Sequence, residues 1–143
     1  MKPNLTEGDI VVSVKSPSLE TGDVIAFYYN NRVLVKRVIA TEGQEVDIDF
    51  EEGIVYVDDV PLDEPYTKTL TTLKEGNSFP QTVEPGCVFI MGDNRNNSKD
   101  GRSPQIGQVD EREIVGKVIF LLFPGTGMGG TQARDFHRIG AVR

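Results

Sequence analysis

The sequence predicts a mainly β protein whose short antiparallel strands close into a sandwich or barrel. Three observations carry that expectation. β-branched runs recur along the chain, turn formers such as Glu-Gly, Thr-Gly, Asn-Asn and Pro-Gly separate them at the expected spacing, and helical periodicity is hard to find anywhere. A length of 143 residues suits one domain, or one domain with a small appendage, and is enough to bury a core.

In chain order, "MKPNLTEGDIVV" puts a turn-like stretch directly before the first strand, "DIVVSV", so the chain reads as starting mid-domain. "DVIAFYY" and "RVLVKRVIA" follow, then "EVDID" and "GIVYVDDVPL", the last a hairpin turning at Asp58-Asp59. "CVFIMG" and "EIVGKVIFLLF" complete the set, with one turn of helix expected at "DEREIVGK", capped by Asp110. The stretch 42–84 is more acidic and less apolar than its flanks, which makes it a small cap or β-ribbon inserted into a main β domain of residues 1–41 and 85–125. Residues 126–143 form a Gly-rich, weakly patterned tail whose last part is expected to be mobile.

A net charge of −7 without a basic cluster opposes nucleic acid and anionic membrane surfaces as partners. No apolar run approaches the roughly 20 residues needed to span a bilayer, so the chain as written is expected to be soluble. One cysteine, Cys87, and one histidine, His137, give neither an internal disulfide nor a usual zinc site, and no metal or cofactor is expected. Cys87 leads into an apolar run and reads as a small buried hydrophobe, while His137 has no acid or thiol pattern near it. The acidic run "DIDFEEG" has its glycine one place late for a calcium loop and reads as a solvated strand face.

Two places remain. "FIMGDNRNNSKDGRSPQIG" ends a hydrophobic strand on a loop dense in Asp, Asn and Arg, which is either a hydrated turn or a site where charges are held in fixed geometry. "RVLVKRVIA" sets Lys36 and Arg37 on opposite faces of an apolar strand, with Lys36 on the side of Leu34 and Val38. Lys36 is then either a stem covering apolar surface with its ammonium in water, or an amine whose burial lowers its pKa toward usefulness as a base. The strand by itself leaves both open.

Three stretches in order resemble the type I (leader) signal peptidase family, serine proteases with a Ser-Lys dyad. "MKPNLTEGDIVV" is similar to the segment after the nucleophile, "VLVKRVIATEGQEV" to the strand carrying the lysine, and "MGDNRNNSKDGR" to the Gly-Asp-Asn-Arg loop; "VYVDDVPLDEPY" also fits a linking segment. The resemblance implies coiled antiparallel sheets of signal-peptidase type, Lys36 as general base and Ser98 bonded to its amine. It also implies that Arg37, Asp93, Asn94, Arg95, Asp100 and Arg102 structure the loop, and that Leu5, Leu34 and Val35 line shallow pockets for small residues. The implied substrate is a secreted bacterial preprotein with an Ala-x-Ala signal-type site, bound extended at a strand edge.

The chain departs from the family at Gly101, where serine is usual, and at Asn4, where threonine is. More important, the family's nucleophilic serine immediately precedes the methionine matching Met1. The expectation is a soluble catalytic fragment of a protein anchored in the cytoplasmic membrane, with this domain on the extracytoplasmic side. That fragment would be inactive alone and able to self-associate through its exposed groove. Rival readings are a noncatalytic module that holds signal-peptide-like segments, the self-cleaving domain of SOS-response repressors, and an inactive β-barrel.

Overall fold

Strands form where the sequence places its β-branched runs, and the computed structural model of the chain describes residues 10–15, 18–67, 69–123 and 140–141. In order these are β1 (Ile10–Val14), β2 (Val24–Tyr29), β3 (Arg32–Thr41), β4 (Glu45–Asp49), β5 (Ile54–Val57), β6 (Val60–Pro61), β7 (Gln81–Thr82), β8 (Cys87–Met91), β9 (Val109–Asp110), β10 (Ile114–Phe123) and β11 (Gly140–Ala141). The main sheet runs β1-β10-β2-β3-β8-β9, with β11 also on β10, and a second sheet runs β6-β5-β4-β7. The pairings of both sheets are antiparallel. The fold is therefore the mainly β, antiparallel architecture that the strand spacing predicts.

Two hairpins show how the sequence fixes register. Asn30 and Asn31 take φ of 46° and 60° between the paired Tyr29 and Arg32. Asp58 and Asp59 take 50° and 63° between Val57 and Val60. Positive φ at both central residues is the two-residue turn that matches strand twist, and Asn and Asp tolerate it best. The expected turn at Asp110 is a short 3-10 turn, Glu111–Glu113, with the Asp110 side chain accepting from the Arg112 N–H.

β3 is the strand that carries the fold across both clusters of its core. Its first half pairs with β2, Lys36 opposite Ile25, and its second half with β8, Arg37 opposite Met91. Alternation sends Val38 and Ile39 to different clusters, and a register shift between Val38 and Ala40 lets the consecutive Ile39 and Ala40 join the same one. Val38 packs with Ile25, Phe27, Val88 and Ile90, whereas Ile39 and Ala40 pack with Val46, Ile48, Val55, Phe89 and Met91 under the second sheet. "CVFIM" is continuously apolar because β8 is buried on both faces, Val88 and Ile90 toward one cluster and Phe89 and Met91 toward the other.

Two expectations need correction. Cys87 is only partly buried at the margin of the cluster under the second sheet, because it opens β8 rather than lying within it. The tail does not end without structure, since Gly140 and Ala141 pair with Leu121 and Phe120. A two-residue bridge carries no periodicity for a sequence reading to find. His137 and Leu5 lie outside the described residues.

Gly101 is more than a missing hydroxyl. A Cβ there would stand 2.8 Å from the Ile90 carbonyl oxygen and 2.8 Å from Phe89 Cε2, so this loop packs too tightly on β8 for the family's serine. Gly101→Ser is expected to lower unfolding free energy by about 1–3 kcal/mol, as overpacking does. Urea unfolding of the 143-residue chain checks it, and an unchanged midpoint would contradict the packing argument.

Candidate active site

Lys36 projects from β3 into the loop that follows β8, and its Nζ donates to Ser98 Oγ at 2.8 Å. The approach depends on Gly92. A Cβ at that position would lie 2.1 Å from Ser98 Oγ and 3.4 Å from Lys36 Nζ. Gly92 stands in the "MGDNRNNSKDGR" motif, but reading the motif for charged groups passes over it.

Three buried guanidinium groups hold the loop. Arg37, from β3, grips Asp93 with Nε to Oδ1 and Nη2 to Oδ2, both at 2.8 Å, and gives Nη1 to the Gly22 carbonyl at 2.8 Å. Its guanidinium carbon also stands 4.1 Å above the Tyr66 ring, a cation–π contact. Arg95 gives Nε to the Gly92 carbonyl at 2.8 Å, Nη1 to Thr71 Oγ1 at 3.0 Å, and pairs with Glu64 through both terminal nitrogens. Arg102 forks onto Asp100 at 2.9 and 2.8 Å and reaches the Leu73 carbonyl at 3.1 Å. Asp100 in turn accepts from the Gly92 N–H at 2.9 Å, which closes the loop on itself beside Ser98.

The stretch between β6 and β7 supplies several of these partners, and sequence reasoning missed them. Glu64, Thr71 and Glu75 meet the arginines. Asn77 takes the Arg102 carbonyl at 2.9 Å with its N–H and the Gly101 carbonyl at 2.9 Å with its side chain. Asn94, expected to structure the loop, precedes the 3-10 turn Arg95–Asn97 without a capping side-chain bond. Asn96 ties the loop to the stretch before β7, its Oδ1 accepting from Thr72 N at 3.3 Å, Thr72 Oγ1 at 3.2 Å and Leu73 N at 3.3 Å. Asparagines two apart in one loop are indistinguishable by composition.

Leu34 sits on the Lys36 side of β3, packed against the Val38 cluster, and Val35 on the reverse side with Val24, Ala26 and Val118. Among the described residues no strand pairs with the other edge of Arg32–Lys36, which β2 covers on one side only. A cavity of about 690 Å³ opens beside Ser98, lined in part by Leu73, Glu75, Asn96 and Lys99. Among the described residues no group of three or more His, Cys, Asp or Glu could hold a metal ion.

The electrostatics separate the amine from the guanidiniums. Burial lowers the Lys36 pKa from the usual lysine range, opposed chiefly by the charges of Asp100 and Glu75. For Asp100, burial alone would push the carboxyl up, but the Arg102 fork and the Gly92 and Arg102 N–H groups hold it below the usual range. Glu75 is pushed up to about 7, first by burial and then by Asp100. The arrangement is a desolvated amine that a hydroxyl orients, inside a frame of paired charges. It can take a proton from a nucleophile brought to its free lone pair.

A family model described as signal peptidase, peptidase S26, matches residues 1–123. The chain is 35% identical over 144 residues to signal peptidase IB of Staphylococcus aureus (strain COL), covering 87% of this chain and 73% of that protein. It is 36% identical over 143 residues to probable signal peptidase I-1 of Synechocystis sp., covering 90% of this chain and 69% of that protein. The crystal structure of a signal peptidase I from Enterococcus faecalis V583 superposes with a TM-score of 0.57 at 28% identity, covering 73% of this chain and 98% of that one.

Gly92→Ala is expected to drive Ser98 off the amine. A crystal structure of the variant checks it: the Nζ to Oγ distance should exceed hydrogen-bond reach, about 3.2 Å. An unmoved pair would contradict the close-approach argument.

Proposed function

The chain belongs to the type I signal peptidase family, peptidase S26, and on that premise we propose that it is the catalytic β domain of a serine peptidase that removes signal peptides from preproteins with Lys36 as general base. The observation that carries the reading is the 2.8 Å bond from a desolvated Lys36 amine to Ser98. Ser98 accepts one N–H and thereby orients the amine without adding a negative charge that would favour ammonium.

In this mechanism a serine hydroxyl attacks the carbonyl carbon of the residue before the cut, and its proton passes to Lys36 Nζ. The resulting ammonium gives that proton to the departing amine, leaving an acyl-enzyme. Water then attacks the ester while Lys36 again accepts the proton and returns it to the serine. Ser98 is held as the orienting group rather than as the nucleophile; in the family the attacking serine immediately precedes the methionine that matches Met1.

The substrate lies extended along the uncovered edge of Arg32–Lys36 and adds main-chain hydrogen bonds to it. Side chains of an extended peptide alternate in direction, so residues one and three before the cut share a face. Leu34, on the Lys36 face of β3, is the candidate for the shallow apolar lining that favours an Ala-x-Ala site, whereas Val35 faces the other way. In the whole protein an anchor in the cytoplasmic membrane keeps this domain on the extracytoplasmic side, beside emerging preproteins. In its absence the uncovered edge is a place for self-association.

The test is cleavage of a labelled Ala-x-Ala peptide by the chain extended upstream to include that serine and an anchor. Activity should rise with pH as Lys36 loses its proton, with a midpoint below the usual lysine range. Serine-to-alanine and Lys36→Ala should each cost at least about 10³-fold in kcat, as loss of a nucleophile or its base does elsewhere. Binding without cleavage by the serine-bearing protein would make it a noncatalytic relative.

A further inference from the structure

Glu75 lies between β6 and β7, outside the stretches that carry the family resemblance, yet its side chain is only 8% exposed and its Oε2 stands 3.0 Å from Arg102 Nε. That N–H is directed at Asp100 Oδ1, 2.9 Å away, and Nη2 takes Asp100 Oδ2 at 2.8 Å. Glu75 Oε2 is thus buried against a guanidinium but accepts no hydrogen bond. Two carboxyl groups crowd one cation whose fork the first has filled. Two carboxyl groups crowded on one guanidinium repel unless one of them carries a proton. The fork keeps Asp100 ionised, so the proton resides on Glu75.

We propose that Glu75 is a positioning residue for the lysine base: protonated, it leaves the Asp100–Arg102 pair neutral, and ionised, it adds the negative charge that favours ammonium at Lys36. The proposal rests on the reading of Lys36 as the base. The charged groups facing Lys36 are Asp100, Glu75, Arg102 and Asp93, and Arg37 matches the charge of Asp93 at 2.8 Å. Lys74 and Lys99 line the adjoining cavity. Glu75 is the group among these whose charge changes near neutrality, at about 7. Loss of the Glu75 proton adds a negative charge that resists loss of the Lys36 proton. The two titrations oppose each other, so the neutral amine appears over a broader and higher pH span than it would beside an uncharged side chain.

The test is a side-chain NMR titration of the 143-residue chain, following Lys36 Nζ by ¹⁵N and Glu75 by its carboxyl ¹³C. Glu75→Gln should move the Lys36 midpoint to lower pH and raise the neutral fraction at a fixed pH within the transition by about three- to tenfold. In the unaltered chain the Glu75 carboxyl should titrate near 7. A Lys36 midpoint unmoved in a Glu75→Gln chain that keeps its strand amide signals would overturn the proposal. If that variant does not fold, the Glu75 midpoint of the unaltered chain decides: near neutrality supports the proposal, and the ordinary carboxylate range overturns it. Failure of the base reading is a separate result, retained cleavage in Lys36→Ala of the serine-bearing protein.

Discussion

The loop from Gly92 to Arg102 has its shape because three guanidinium groups inside it have no access to water. Arg37, Arg95 and Arg102 are at most 1% exposed, and each must therefore find a carboxylate and its remaining acceptors within the protein. An ion taken out of water costs several kcal/mol, and a fork–fork geometry with carbonyl acceptors is what offsets that cost. Ser98, half-buried and with its side chain bonded to Lys36, is held in place by its neighbours' constraints.

The same burial acts oppositely on arginine and lysine, and the site uses the difference. A guanidinium stays charged when desolvated and so becomes a rigid strut, whereas an ammonium gives up its proton. Lys36 has a hydroxyl where the arginines have carboxylates, and Asp93 and Asp100 near it are already committed to Arg37 and Arg102. The frame thus concentrates charge for rigidity while leaving its central amine without a direct counter-ion. Proton acceptance by that amine is a consequence of which partner each cation was given.

Much of this was legible in the sequence where a local rule applies. Alternation and continuous apolar runs located the long strands, Asn30-Asn31 and Asp58-Asp59 marked turns of positive φ, and Asp110 marked its cap. The opposite faces of Lys36 and Arg37 followed from period two alone. What was not legible lies where no local rule operates. Glu64, Thr71, Glu75 and Asn77 sit in an irregular stretch whose partners are more than 20 residues away. Their exposure to water or to an arginine depends on how that stretch drapes over the loop, and composition carries no trace of it. Gly92 and Gly101 are similar, since only the assembled neighbours reveal that a Cβ has no room.

The central claim is that the fold holds Lys36 as a desolvated amine that loses its proton below the usual lysine range. Trace acetylation across pH tests it most directly, because only neutral amines react and peptide mapping reads Lys36 by itself beside an added blocked-lysine reference. The account predicts that the Lys36 rate reaches its plateau at lower pH than the reference does, and that Ser98→Ala leaves that order intact because burial is the larger cause. A Lys36 rate that climbs in step with the reference would mean an ordinary ammonium, and the account of the site would be wrong.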